Sequence, residues 1–130
     1  MIEYLIEMIE YLIDTNVFIA ILKGNAKLKS FIEGLVCALD TTVYAELIQG
    51  AKNKTEVQKI ERYLTRFELI HFDKSVSRMT IELIRTYSKS HGLMFGDAVI
   101  AATCLENDLT LITYNVKDFR FIKNLKITQP

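Results

Sequence analysis

Short apolar runs rich in β-branched residues alternate along this chain with longer stretches whose apolar residues recur at the helical period. The short runs read as strands, because they are bounded by turn residues and are too short for core helices. They occupy residues 9–13, 36–39, 69–72, 109–113 and 125–128. Two helical stretches lie in each of the three intervals among the first four runs, an order typical of parallel strands joined by helical crossovers. The sequence therefore predicts an α/β domain of three layers, α/β/α, around a central, mainly parallel sheet.

Polar residues mark where the predicted helices begin and end. Thr, Asp and Asn are favoured before a helix, and glycine is favoured after it. Helices are expected over residues 17–22 and 26–35, from Thr41 or Thr42 to Gln49, from Thr55, from Asp73 to Gly92, and from Asp97. The last of these has mainly small residues on one face, which lets a helix lie close to a sheet.

The composition favours one folded domain in a reducing compartment. The chain has 130 residues, half of them apolar, and no apolar stretch long enough to cross a membrane. Cys37 and Cys104 lie in apolar runs, so we expect buried free thiols and a cytoplasmic location. His71 and His91 lack the spacing of zinc ligands. A net charge of zero excludes a strongly basic nucleic-acid-binding domain, so any surface that binds phosphates must be local.

The N-terminus contains a direct repeat, in which residues 1–6 and 8–13 share the sequence Met-Ile-Glu-Tyr-Leu-Ile. Both copies resemble a strand, but only the second leads directly into Asp14. We therefore expect residues 1–7 to be a dispensable appendage and residues 8–130 to form the single domain.

Acidic residues lie at places where a predicted strand gives way to a loop or a helix. Asp14 follows the first strand, Asp97 opens a helix, and Asp118 follows the fourth strand. Glu46 lies in the helix after the second strand. Ligands bind at the carboxyl edge of an open parallel sheet, where these groups would meet. Carboxylates brought together there repel one another unless a cation joins them, and an oxygen-only cluster suits Mg²⁺ or Mn²⁺.

Three of the four acidic residues also have a purely structural interpretation. Asp14 and Asp97 precede helical stretches, so either could be a helix N-cap. Glu46 could lie on a solvated helix face, or face inward with Val43 or Leu47. The four positions together favour a site more than any one of them does.

Four segments give the chain a specific resemblance to a known family. They cover residues 11–19, 42–50, 96–102 and 113–119, with the sequences YLIDTNVFI, TVYAELIQG, GDAVIAA and TYNVKDF. In this order and spacing they resemble the PIN-domain ribonucleases, and among these the VapC-type toxins of toxin–antitoxin pairs. The resemblance extends from about residue 9 to residue 122.

The resemblance implies an endoribonuclease that depends on Mg²⁺ or Mn²⁺. Asp14, Glu46 and Asp97 match the first three acidic positions of the family, and Asp14 and Asp97 are the expected metal ligands. Asp118 is the expected fourth acid, although Asn115 stands where some members have Asp. The groups expected to support the site are the side chains of Thr15, Asn16, Thr113 and Asn115.

The resemblance also implies partners: an RNA substrate, a cognate antitoxin that covers the acidic pocket, and a second copy of the chain. The first predicted helix also favours a homodimer, because its apolar residues Ile19, Ile21 and Leu22 cannot all face one sheet. Basic residues recur at every third position near the C-terminus and form either an RNA contact or an ordinary solvated face. They are Lys117, Arg120, Lys123 and Lys126.

Two other classes of function compete with this interpretation. A phosphatase of the haloacid-dehalogenase type needs a second Asp two residues after the first, and Asn16 stands there instead. A non-catalytic module of the same fold, which binds RNA or a protein, remains the alternative to the nuclease.

Overall fold

A sheet of five parallel strands forms the centre of the structure, a computed structural model that describes residues 8–130. The repeat copy at residues 1–7, with the appendage predicted there, lies outside these residues. The strands are β1 (Tyr11–Ile13), β2 (Cys37–Asp40), β3 (Glu68–Ile70), β4 (Thr110–Ile112) and β5 (Lys126–Thr128). Their order across the sheet is β3-β2-β1-β4-β5, and every pairing is parallel. The predicted α/β class and parallel sheet are confirmed.

Six α-helices join the strands. They are α1 (Thr15–Leu22), α2 (Ala26–Glu33), α3 (Thr41–Gln49), α4 (Lys54–Leu64), α5 (Lys74–His91) and α6 (Phe95–Asn107). A single 3₁₀ turn, η1 (Val116–Asp118), follows β4. Within residues 8–130, no helix is both long and apolar enough to cross a membrane.

The two central strands supply the middle of the core. Leu12 of β1 pairs with Leu111 of β4, and Ile13 pairs with Ile112. All four side chains are at most 1% exposed, as expected for strands covered by helices on both faces. The edge strands are more exposed, so the core is centred on β1 and β4 and on the helices packed over them.

Side-chain caps explain where several helices begin, and two predicted caps were wrong. Asp73 caps α5 as predicted, since its carboxylate accepts from the Val76 N–H at 2.9 Å. Asp40, rather than a threonine, caps α3, and Asn53, rather than Thr55, caps α4. An N-cap must have an extended backbone just outside the helix. Asp40 and Asn53 have it, whereas the threonines already lie inside their helices.

Helix α6 differs from the prediction at its start. It begins at Phe95, and its N-cap Met94 makes no side-chain capping bond, so Asp97 lies inside the first turn. The small residues Ala98, Ala101 and Ala102 are fully buried, which fits the predicted close approach of this helix. Gly92 ends α5 with a φ of 70°, as its predicted role requires.

Candidate active site

The carboxyl ends of β1 and β4 bring distant residues together. These strands are neighbours, and the Asp14 N–H donates to the Ile112 carbonyl at 3.0 Å. Asp14 and Thr113 thus each follow the last residue of their strands at the same edge of the sheet. This is the edge at which parallel α/β folds bind ligands.

Asp14 is almost completely buried and is held by three donors. One oxygen accepts from the Thr15 N–H at 2.8 Å. The other oxygen accepts from the Thr113 hydroxyl at 2.7 Å and from the Asn16 amide at 3.1 Å. Burial nevertheless raises the pKa of Asp14, and the charge of Glu46 adds to the rise. Asp14 therefore is the cap of α1, as one interpretation held, and also places an oxygen at the sheet edge.

Glu46 lies at the rim of this edge rather than inside the core. Its neighbours Val43 and Leu47 are buried whereas Glu46 is exposed, so the alternative that it faces inward with one of them is wrong and the solvated helix face is correct. Its carboxylate accepts a short hydrogen bond of 2.6 Å from the Thr15 hydroxyl. Gly96 of α6 lies close to the same carboxylate: a β-carbon added to this glycine would be 3.7 Å from Glu46 Oε2. The side chain is thereby turned toward the start of α1 and α6.

Asp97 provides the clearest electrostatic sign that the acidic residues lie close together. It is half-buried, and burial together with the charges of Asp14, Asp118 and Glu46 raises its pKa to about 6. Burial is the largest of these causes. The alternative that Asp97 caps a helix is wrong, because the helix begins two residues earlier.

Asp118 is exposed and lies at the end of η1. In the part of the chain that the structure describes, neither Asp118 nor Asp97 has a hydrogen bond or an ion pair through its carboxylate. Their orientation is therefore less constrained than that of Asp14.

The four predicted supporting residues form a network around Asp14, in which Thr15 and Asn115 take part through their backbone N–H groups. The Asn16 amide donates to both Asp14 and the Thr113 hydroxyl, and its carbonyl accepts from the Tyr114 N–H at 3.2 Å. The Thr113 hydroxyl also accepts from the Asn115 N–H at 3.0 Å. This network joins the start of α1 to the segment after β4.

The donor set fits a hard divalent cation. Carboxylate oxygens are the ligands that Mg²⁺ and Mn²⁺ prefer, and no lysine or arginine within residues 8–130 neutralises these four groups. Among the same residues, no three Asp, Glu, His or Cys side chains already stand in a metal-binding arrangement. The chemistry of the donors therefore suits the ion, while the carboxylates would have to come closer together to hold it.

Of the four regularly spaced basic residues near the C-terminus, which we call the basic strip, three are free of salt bridges within residues 8–130. Lys117, Arg120 and Lys123 are exposed, and over residues 8–130 none of them takes part in a salt bridge. Lys126 instead pairs with Asp108 at 2.9 Å. That pair follows from the pairing of β5 with β4, which places Lys126 opposite Thr110 and which no local pattern reveals.

Asp40 is the acidic residue near the site that the sequence analysis missed. It is 1% exposed, and its carboxylate accepts from the Val43 N–H and from the hydroxyl of Thr103. Burial raises its pKa to about 6, and its position holds the start of the helix that carries Glu46. An Asp directly before a Thr-Thr-Val helix start was the signal available in the sequence.

Comparison with known proteins agrees with the fold and with the four motifs. The family model described as PIN domain matches residues 11–124, which include all four acidic residues. The chain belongs to the PIN domain family.

Within that family, the chain is similar to proteins of the VapC group. It is 31% identical to ribonuclease VapC2 of Rickettsia felis over 126 residues, which cover 88% of this chain and 93% of the relative. A crystal structure of VapBC2 from Rickettsia felis, bound to a DNA fragment from its promoter, superposes with a TM-score of 0.80 and 29% identity, and the match covers 94% and 99% of the two chains. A toxin–antitoxin complex from Klebsiella pneumoniae superposes with a TM-score of 0.77 and 28% identity. The match covers 92% of this chain and 96% of the chain in that complex.

Proposed function

We propose that this protein is a divalent-metal-dependent endoribonuclease that acts as the toxin of a type II toxin–antitoxin pair. The observation that carries the proposal is the hydrogen-bonded arrangement that holds Asp14 and Glu46 at the carboxyl edge of the sheet. Asp97 lies close enough for the charges of Asp14, Asp118 and Glu46 to raise its pKa. The ribonuclease name of the Rickettsia felis relative and the toxin–antitoxin complex from Klebsiella pneumoniae support it.

Asp14 and Asp97 are the proposed ligands of Mg²⁺ or Mn²⁺. When bound, such an ion lowers the pKa of a water molecule and neutralises charge at the scissile phosphate. The protein's own contribution is positional. Thr113 and Asn16 fix the orientation of the Asp14 carboxylate, and Thr15 fixes that of Glu46.

Glu46 and Asp118 are proposed to complete the site by accepting hydrogen bonds from water. Asp118 is the better candidate for the fourth acid, because its charge contributes to the raised pKa of Asp97. Within the described chain, Asn115 is joined to the site through its backbone alone, since its N–H donates to Thr113 and its carbonyl accepts from the Asp118 N–H. Lys117, Arg120 and Lys123 supply cations for the phosphates of the RNA, although the chain as a whole is neutral.

An antitoxin is the proposed protein partner, with a cytoplasmic site of action. A cavity of about 600 Å³ lies between α1, α3 and α4, with Glu46 in its wall. Ile19, Leu22 and Leu47 supply apolar surface there, and Lys23, Lys52 and Lys59 supply cations. This surface suits an amphipathic segment with acidic residues, which would end over the acidic pocket.

Cleavage of a labelled single-stranded RNA by the purified protein tests the enzymatic proposal. We expect activity with Mg²⁺ or Mn²⁺ that EDTA removes, and at least a roughly 100-fold loss in Asp97→Asn, because a metal ligand supplies several kcal/mol to the transition state. Glu106→Gln is the matched control, since Glu106 is an exposed acid on the same helix.

Undiminished cleavage by Asp97→Asn, with contamination excluded by an inactive Asp14→Asn preparation, would contradict the proposed mechanism. Binding of RNA by the wild-type protein without any cleavage would instead favour the non-catalytic module.

A further inference from the structure

Tyr114 lies beside the proposed active site with its ring exposed to solvent. It follows Thr113, whose hydroxyl donates to Asp14, and its own N–H donates to Asn16. The side chain is 44% exposed. The backbone at this position is therefore held by the acidic site, whereas the ring is directed into solvent.

The structure gives the Tyr114 ring no internal role that would explain its presence. Tyr44, Tyr63 and Tyr87 each use the hydroxyl in a hydrogen bond with another part of the fold. Within residues 8–130, the Tyr114 hydroxyl has no such partner and its ring has no aromatic neighbour. An exposed ring on a fixed backbone is well suited to stack against a flat ligand, because little order is lost on binding.

The charges that follow Tyr114 in the chain favour a nucleotide as that ligand. Lys117, Arg120 and Lys123 are exposed and unpaired within the described residues, on the segment that leads away from the ring. Surfaces that bind single-stranded nucleic acids combine aromatic rings that stack on bases with cations that bind the backbone. An apolar protein partner would not require these cations.

We propose that Tyr114 is a base-stacking residue, which holds one base of a single-stranded RNA next to the scissile phosphodiester. The inference rests on the proposed ribonuclease function and deepens it, by assigning a contact that positions the substrate. The ring stacks on any base, so it contributes affinity and position more than sequence preference.

Tyr114→Phe and Tyr114→Leu form the test pair, because the first retains the ring and the second retains only apolar bulk. Steady-state cleavage of a single-stranded oligoribonucleotide should be within about 2-fold of wild type for Tyr114→Phe. Tyr114→Leu should lose roughly 5- to 100-fold in kcat/KM, the effect of removing one base–aromatic stack. Neither change should lower the melting temperature, since the side chain is exposed.

A binding measurement without cleavage gives an independent readout. In an Asp97→Asn background, an oligoribonucleotide that carries 2-aminopurine should lose fluorescence on binding when residue 114 is Tyr or Phe, and keep it when residue 114 is Leu. If wild type is active, equal kcat/KM for Tyr114→Leu and wild type, together with equal quenching in the Asp97→Asn background, would overturn the stacking role. The proposed ribonuclease function would then still stand. An inactive wild type that does not bind RNA would overturn both the stacking role and the proposed function. Weakened self-association of the Leu variant with unchanged RNA cleavage would assign the ring to a protein interface instead.

Discussion

Single residues in this protein serve the fold and the proposed site together. Asp14 caps α1 with one oxygen and presents the other to Thr113 and Asn16. The two interpretations available for this residue are therefore compatible, because a carboxylate has two oxygens and several lone pairs. Asp40 resembles it in capping a helix while buried, but its hydrogen bonds are all internal.

Asp40 makes the stability of the fold depend on pH. The Asp40 carboxyl group has a pKa of about 6 in the folded protein, whereas in an unfolded chain its pKa is about 3.9. The folded state therefore binds more protons between these values, and the Asp40 contribution to the free energy of unfolding falls as the pH rises from about 4 to about 6. Above that range the contribution is constant and unfavourable.

Asp40→Asn should raise the free energy of unfolding at pH 7.5 by about 1–2 kcal/mol, because the amide keeps the capping oxygen and removes the buried charge. Urea unfolding at pH 7.5 and pH 4 measures this, and the difference from wild type should shrink at the lower pH. Asp40→Ala is the control: it removes the same buried charge but also the cap, so it should be about 1 kcal/mol less stable than Asp40→Asn. A gain for Asp40→Asn of equal size at both pH values would show that charge burial is not the cause.

The element that matters most for the site is α6, which carries Asp97. It packs against α5, and Gly92 is part of the short connection between the two helices. The left-handed backbone of Gly92 ends α5 and turns the chain toward Met94. The placement of the third acidic residue therefore depends on a turn that lies outside the site.

Gly92→Ala should destabilise the protein by about 1 kcal/mol, because a β-carbon strains a backbone with φ of 70°. Gly34→Ala is the matched control, since Gly34 also follows a helix but has a φ of −82°. Its added β-carbon would make only ordinary contacts, so we expect no loss. Urea unfolding of both variants is the measurement, and an equal loss in both would exclude backbone strain as the reason.

At the scale of the whole molecule, apolar side chains remain at the surface. On α1, Ile21 is buried while Ile19 and Leu22 are each 40% exposed, as expected if they cannot all face one sheet. Further exposed apolar residues are Phe72, Ile81, Met94 and Phe95. Such surface suits contact with other chains, in keeping with the proposed antitoxin and a second copy.

A homodimer is the expected state of the isolated protein, because association removes exposed apolar surface from water. Sedimentation equilibrium at micromolar concentration should give twice the chain mass of 15.0 kDa. Ile81→Glu, on the outer face of α5, is expected to shift the equilibrium toward monomer, with Glu82→Gln as the neighbouring control. A monomer alone at these concentrations would contradict the expectation.

The single domain is predicted to begin at Met8. A chain that starts there keeps the strand copy that leads into Asp14, so its stability and its RNA cleavage should both match those of the full chain. Thermal unfolding and the cleavage assay compare the two. A loss of several kcal/mol, or of activity, would make residues 1–7 a part of the domain.

Local sequence was sufficient to predict the order of strands and helices along the chain and the parallel sheet. The reason is physical: apolar periodicity and short β-rich runs determine local structure, and parallel strands place their carboxyl ends at one edge. The glycine after α5 and the Asp73 cap belong to the same category, since both depend on neighbouring residues alone.

Only the tertiary structure decided which polar groups meet. The Thr15 hydroxyl donates to Glu46, which lies 31 positions later in the chain. Lys126 forms a salt bridge with Asp108 and so does not remain a free cation beside the other basic residues. Burial also decided the pKa values, because an Asp side chain has an ordinary pKa in water and a raised one when it is buried, as at Asp40 and Asp97. Local sequence does not determine which distant segments touch or which side chains they remove from water. For this reason only the tertiary structure decides the pKa values of the acidic residues in the site.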